Sequence, residues 1–177
     1  MSLVVPEETG PADGRVDQRH YRRVVSRFAT GVTVVTANSA GVQFAMTANS
    51  FTSVSLDPML VLFCVEKTAR FHDVVLTARR WGVSVLGDGQ EPASRWFATR
   101  GRPDAGQLAR FPWTPGRHTA AALFDAAIAT LECSTYAVHD GGDHTIIVGE
   151  VLDAGARPGP ATPLVFYESR YRALPPN

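Results

Sequence analysis

The chain has 177 residues and a mass of 19.1 kDa, enough for one substantial core and too little for two comfortable domains. Its 17 Lys and Arg balance its 17 Asp and Glu, so no positive field favours nucleic acid as a partner. The longest wholly apolar run, residues 59–65, is far too short to cross a bilayer. We therefore expect one soluble domain over residues 15–177, with no membrane partner, after a disordered tail at residues 1–14.

The first predicted element is an amphipathic helix. Asp17 is a suitable N-cap and Gly31 a suitable C-terminal signal, so the helix is expected to run to about Ala29. Apolar residues between Tyr21 and Phe28 fall on one helical stripe. This stripe is predicted to face the core.

A hairpin and a polar stretch follow. Residues 32–37 and 42–48 are β-rich runs joined by a turn, and they lead into MTANSFTSVSLDP at residues 46–58. With a strand period of two, this stretch has one polar face and one small or apolar face. Its polar face is turned either to water or to a ligand with many hydrogen-bonding groups. Residues 59–65 (MLVLFCV) are predicted as a strand buried on both faces.

The remaining chain predicts short helices, strands and one long loop. One helix begins near Thr68, which is expected to cap it, and another spans residues 91–100. The loop covers residues 100–122. The further strands are 81–86, 127–138, 144–154 and 163–167. Hairpins outnumber crossovers, so we predict a mainly β fold: an antiparallel barrel of six or seven strands with short flanking helices. There is no G-x-G-x-x-G or Walker motif.

Local chemistry is weakly specified. HDGGDH at residues 139–144 is either a metal-binding hairpin end or a glycine-rich turn, and the turn is the preferred interpretation. Lys67, Thr68 and Arg70 form either an anion site at a helix N-terminus or a set of solvated charges. Cys64 and Cys133 lie in apolar runs typical of free thiols, which favours a cytoplasmic location.

The order of several blocks resembles the flavin reductase-like family. The blocks are FATGVTVVTA (28–37), MTANSFTSVSLDP (46–58), WGVSVL (81–86), ATLEC (129–133), GGDHTIIVGEV (141–151) and PLVFYESRY (163–171). The resemblance extends from about Tyr21 to Leu174. It implies an FMN-binding split β-barrel, and an NAD(P)H-dependent reductase that transfers hydride to FMN or FAD and supplies a separate flavin-dependent monooxygenase through diffusible reduced flavin. A homodimer is also implied.

The resemblance also implies site residues. His144 matches the histidine of the family's Gly-Asp-His motif and is expected to orient NADH or NADPH. The implied flavin-contacting positions lie along the polar stretch, at the end of the apolar strand and near the C-terminus. They are Thr47, Ala48, Asn49, Ser50, Ser53, Ser55, Cys64, Val65, Glu66, Lys67, Thr68, Ala69, Arg70, Phe166, Arg170 and Tyr171. No metal is implied.

The first turn after the apolar strand departs from the family pattern. The family commonly has a Ser and then a Thr where this chain has Ala69 and Phe71. Either the neighbouring cations and helix amides hold the flavin phosphate, or flavin is held loosely as a substrate. Two alternatives remain: a protein with tightly bound FMN that reduces another acceptor, and a non-catalytic protein that binds flavin or haem.

Overall fold

The computed structural model describes residues 16–174, so the predicted tail at residues 1–14 lies outside the described range. Strands are the main secondary structure of the described residues. The helices are α1 (Gln18–Val25), α2 (Arg70–Ala78) and α3 (Glu91–Ala98), with a 3₁₀ turn at Asp88–Gln90. No helix within the described range is long and apolar enough to span a membrane.

Most strands belong to one antiparallel sheet of seven, in the order β3-β2-β6-β9-β10-β5-β4. These strands are β2 (Thr33–Ser39), β3 (Val42–Ala48), β4 (Thr52–Leu56), β5 (Met59–Glu66), β6 (Arg80–Val85), β9 (Ala129–Gly141) and β10 (His144–Ala156). A three-stranded sheet combines β1 (Thr30–Gly31), β11 (Leu164–Tyr167) and β12 (Arg170–Ala173), and β7 (Trp113–Pro115) pairs with β8 (Ala122–Phe124). The predicted mainly β, antiparallel class with short helices is confirmed.

The strand that is buried on both faces is β2, not β5. Residues 33–37 of β2 are all buried, because alternate side chains enter two separate apolar clusters. In β5 burial alternates instead: Phe63 and Val65 are fully buried, whereas Leu62 and Cys64 are partly exposed. The even-numbered side chains of β5 are therefore available to line a surface. The uniformly apolar composition of residues 59–65 gave no indication of this alternation.

Helix α1 begins as predicted but does not pack as predicted. The Asp17 carboxylate accepts hydrogen bonds from the Arg19 and His20 amides, at 2.7 and 3.0 Å, and so caps the helix. The helix ends at Val25, four residues before the predicted end. Its apolar stripe is exposed, and Phe28 beyond it is 76% exposed. The prediction that this stripe faces the core is wrong for the described chain.

Helix α2 begins one residue later than a cap at Thr68 would place it, and Thr68 does not cap it. The N-cap position is Ala69, which has no capping side chain, while the Thr68 hydroxyl donates to Glu66 Oε1 at 2.8 Å. The hydrogen bond to the Glu66 carboxylate is charge-assisted and therefore strong, so it orients the Thr68 hydroxyl towards Glu66. Thr68 is thereby committed to the end of β5.

Candidate functional site

A cleft of about 450 Å³ opens where β3 and β5 end and where α2 begins. Its volume lies within the range of small-molecule sites, about 300–1,000 Å³. The far wall is the end of α3 and the loop that follows it, residues 97–107. Several wall residues are alanines, which keep side chains out of the space: Ala45, Ala48, Ala69 and Ala98.

The cleft collects most of the site residues predicted from the sequence. Those that line it are Thr47, Ala48, Asn49, Ser50, Cys64, Glu66, Thr68, Ala69, Arg70 and His144. The sheet explains how His144 reaches the others. Strand β10 pairs with β5 so that His144 lies directly opposite Glu66, although 78 positions separate them in the chain.

Two hydroxyls of the polar stretch are already used by the fold. Thr47 Oγ1 donates to the Ser94 carbonyl of α3 at 2.7 Å. Ser50 Oγ accepts from the Cys64 amide at 2.9 Å and so joins the turn after β3 to strand β5. The Asn49 side chain has no hydrogen-bond partner among residues 16–174, which leaves its amide for a ligand. The polar stretch therefore builds the wall with its hydroxyls and offers an amide to the cleft.

His144 is held by its neighbour in the chain. Its Nδ1 lies 2.7 Å from Asp143 Oδ1, and this hydrogen bond from the ring lowers the pKa of the Asp143 carboxyl. An imidazole fixed through Nδ1 presents Nε2 in a defined direction. The hairpin end thus positions one ring nitrogen at the cleft.

Glu66 organises the mouth of the cleft next to His144. The Thr68 hydroxyl donates to its Oε1, and Arg100 Nη2 lies 2.7 and 2.9 Å from its two oxygens. The hydrogen bond from Thr68, followed by the charge of Arg100, lowers the pKa of Glu66. Arg100 is thus drawn from the loop after α3 to the end of β5.

Two further cations near the cleft are also paired with carboxylates. Arg70 Nη1, in the first turn of α2, lies 2.6 Å from Asp104 Oδ1 on the opposite wall. Lys67 Nζ contacts Asp140 Oδ1, and this interaction lowers the pKa of Asp140. The two cations of the predicted anion site therefore lie near the start of α2, and each is paired with a carboxylate.

Seven predicted residues lie outside the cleft lining: Ser53, Ser55, Val65, Lys67, Phe166, Arg170 and Tyr171. Val65 points into the core, and Ser55 accepts a hydrogen bond from the Asp57 amide at 3.2 Å. Tyr171 is linked to the cleft wall indirectly, because its hydroxyl lies 2.8 Å from Ser94 Oγ, in the residue whose carbonyl holds Thr47.

The sequence did not single out the arginines that follow α3. Arg102 fastens the loop to the wall, donating at 2.8 Å to the Phe97 carbonyl and at 2.8 Å to the Ala45 carbonyl of β3. Burial, followed by the nearby charge of Arg70, lowers the pKa of Arg102. The only signal in the sequence was the unusual length of the loop.

The residues of HDGGDH do not gather as metal ligands within the described range. The group that does gather three candidate ligands is His118, Glu132 and Asp153, whose donor atoms lie within 4.8 Å of one another. Glu132 already has a structural role: its Oε2 accepts from the Thr119 hydroxyl at 2.7 Å and from the His118 and Thr119 amides. The arrangement anchors a loop to β9.

Glu132 gives a testable pH dependence. Burial acts to raise its pKa, but the hydrogen bonds from Thr119 and His118 outweigh burial and lower it. A carboxyl with a depressed folded pKa stabilises the protein above its unfolded value, near 4.5, and this contribution is lost as the pH falls through the folded value. Urea unfolding from pH 7 to pH 3 should show a steeper loss of stability for wild type than for Glu132→Gln. The exposed carboxyl of Glu150 supplies the control variant Glu150→Gln, which should follow wild type; parallel curves for all three would contradict the prediction.

Comparisons with known proteins agree on one family. The model of the flavin reductase like domain matches residues 25–175. The solved NADH:FAD oxidoreductase SgcE6 of Streptomyces globisporus, in complex with NAD and FAD fragments, is 41% identical with a TM-score of 0.87, over 97% of this chain and 99% of that one. BorF, the flavin reductase component of a bacterial two-component tryptophan halogenase, is 43% identical with a TM-score of 0.85, over 91% and 100%. The reductase subunit HsaB of a Mycobacterium tuberculosis flavin-dependent monooxygenase is 32% identical over 164 residues, 92% of this chain and 86% of that protein.

Proposed function

The chain belongs to the flavin reductase-like family, and on that premise we propose that it is an NADH-dependent flavin reductase that supplies reduced FMN or FAD to a separate flavin-dependent enzyme. The observation that carries the proposal is the meeting of His144 with the short polar stretch in one cleft, as the resemblance implied. Relatives named as reductase components of a monooxygenase and of a halogenase support a partner of that kind.

The residues of the cleft fit a flavin in shape and in chemistry. Short side chains at the end of β3 and in the turn after it leave room for a flat ring, and Asn49 can hydrogen-bond a ring edge of carbonyls and nitrogens. The cations near the start of α2, together with the N-terminal end of that helix, suit a phosphate. A bound flavin supplies the chemistry, because its ring accepts the hydride that the nicotinamide donates.

The contribution of the protein is to position the two ligands. His144 Nε2, directed by the bond between Nδ1 and Asp143, is placed to hold the nicotinamide at the cleft mouth. Thr47 and Ser50, fixed to α3 and β5, hold the wall rigid. Asn49, Ala48 and the backbone beside them are the proposed contacts to the ring.

Flavin is proposed to act as a diffusible substrate. The N-cap of α2 is Ala69, which has no hydroxyl to anchor a phosphate. We therefore expect NADH oxidation by the purified protein only when FMN or FAD is added, with little turnover in their absence. Absorbance at 340 nm, with NADH and NADPH compared for each flavin, measures this. Absence of turnover with every combination would reject the reductase function, and turnover without added flavin would favour the alternative with tightly bound FMN.

Assembly and location complete the proposal. We propose a homodimer, a split-barrel architecture and a cytoplasmic location; the family resemblance supports the first two, and the two free thiols support the third. The exposed apolar stripe of α1 supports the dimer, because isolated monomers seldom leave such a stripe in water. Light scattering at several protein concentrations measures the assembly.

A further inference from the structure

Two of the three arginines that line the cleft, Arg70 and Arg100, are already paired with the protein's own carboxylates. Arg70 reaches across the opening to Asp104 at 2.6 Å and also contacts the Arg102 carbonyl. Arg100 is held by both oxygens of Glu66. Each pair joins a residue at the end of β5 or at the start of α2 to the loop after α3, so both pairs span the same opening.

We propose that Asp104 competes with the flavin phosphate for Arg70, and that this competition holds flavin affinity low enough for the reduced product to leave. The inference rests on the proposed function and assigns to Asp104 the role of an affinity-determining residue at the same site.

The physical basis is the balance of charge. A phosphate that approaches the first turn of α2 must displace the Asp104 carboxylate from Arg70, or bind beside it against its charge. Arg70 and Asp104 are each about half exposed, so the ion pair is weak enough to be exchanged. Without Asp104, Arg70 would be available to pair with a phosphate.

A comparison of FMN with riboflavin distinguishes an effect on phosphate binding from an effect on ring binding, because riboflavin has the same ring as FMN but no phosphate. In Asp104→Asn, the dissociation constants of FMN and FAD, measured by quenching of flavin fluorescence, should fall about five-fold. The constant for riboflavin should change by less than about two-fold. Dissociation of FMN, followed by stopped flow, should slow in the same variant.

Two controls isolate the pair. Asp125→Asn removes one negative charge from an exposed position on the turn after β8, outside the cleft, and should leave all three constants unchanged. In the background Arg70→Gln, the further change Asp104→Asn should lose most of its effect on FMN, since the cation for which Asp104 competes is gone. Thermal unfolding verifies that each variant is folded.

The results separate this inference from the function on which it depends. If wild type binds FMN and oxidises NADH, but Asp104→Asn binds FMN no more tightly, the competition is rejected while the reductase stands. Equal changes for FMN and riboflavin would also reject it, because the effect would not involve phosphate. If wild type binds no flavin and shows no turnover, both proposals fail.

Discussion

His144→Ala is expected to lower the rate of flavin reduction by NADH about 100-fold while changing the dissociation constant of flavin by less than about two-fold. The histidine stands at the cleft mouth with Nδ1 held by Asp143, so its loss should misplace the nicotinamide and leave the ring wall along β3 intact. Stopped-flow absorbance at 450 nm under anaerobic conditions measures the hydride transfer, and fluorescence titration measures the affinity.

The same hairpin supplies the matched control. His139 is exposed near the end of β9 and does not line the cleft, so His139→Ala should behave as wild type. Asp143→Asn keeps the imidazole but weakens its orientation, and an intermediate rate is expected. Equal losses of rate and flavin affinity in His144→Ala would instead assign the histidine to the flavin site or to the fold.

Gly149→Ala is expected to lower the free energy of unfolding by about 2–3 kcal/mol, the upper part of the range for overpacking a core. A methyl group at this position of β10 would lie 2.8 Å from Trp81 Cη2 and closer still to Cζ2. The indole cannot withdraw, because it is fully buried, packs edge-on against Phe63 with ring centroids 4.9 Å apart, and donates through Nε1 to Thr135 Oγ1. Chemical denaturation measures the loss.

A second glycine of the same strand tests the cause. A methyl group at Gly155 would come no closer than 3.6 Å to Thr130 Oγ1, an ordinary contact. Gly155→Ala should therefore leave stability within about 0.5 kcal/mol of wild type. Similar losses in the two variants would show that strand backbone preferences, and not the indole, determine the cost.

Local sequence patterns predicted where the helices and strands lie better than they predicted what those elements contact. Asp17 was recognised as a cap because the relevant amides follow it immediately in the chain. Strand β12 was missed, because its turn uses Glu168 and Ser169 with φ of 49° and 59°, where a glycine or asparagine would have signalled it. The predicted helix cap at Thr68 was wrong because the Thr68 hydroxyl instead donates a hydrogen bond to Glu66, two residues earlier.

The sequence predicted many residues of the candidate site, but it did not predict which residues from distant parts of the chain would contact one another there. The resemblance placed Asn49, Cys64 and His144 in one site, and the cleft brings them together. No local pattern indicated that Asp104 would meet Arg70, since that pair depends on where a long loop returns. The predicted roles in flavin and nicotinamide binding remain predictions, both for the residues that line the cleft and for those that lie away from it, among them Ser53 and Arg170.

The small sheet of β1, β11 and β12 affects how the protein folds during its synthesis. Thr30 pairs with Phe166, and Tyr171 in the last strand reaches Ser94 behind the cleft wall. Contacts between such distant parts of a chain form slowly, because a large loop must close before they stabilise anything. During synthesis, strand β1 cannot be paired until residues 164–173 have left the ribosome. Until then its edge is unpaired, and the wall behind the cleft lacks its tyrosine.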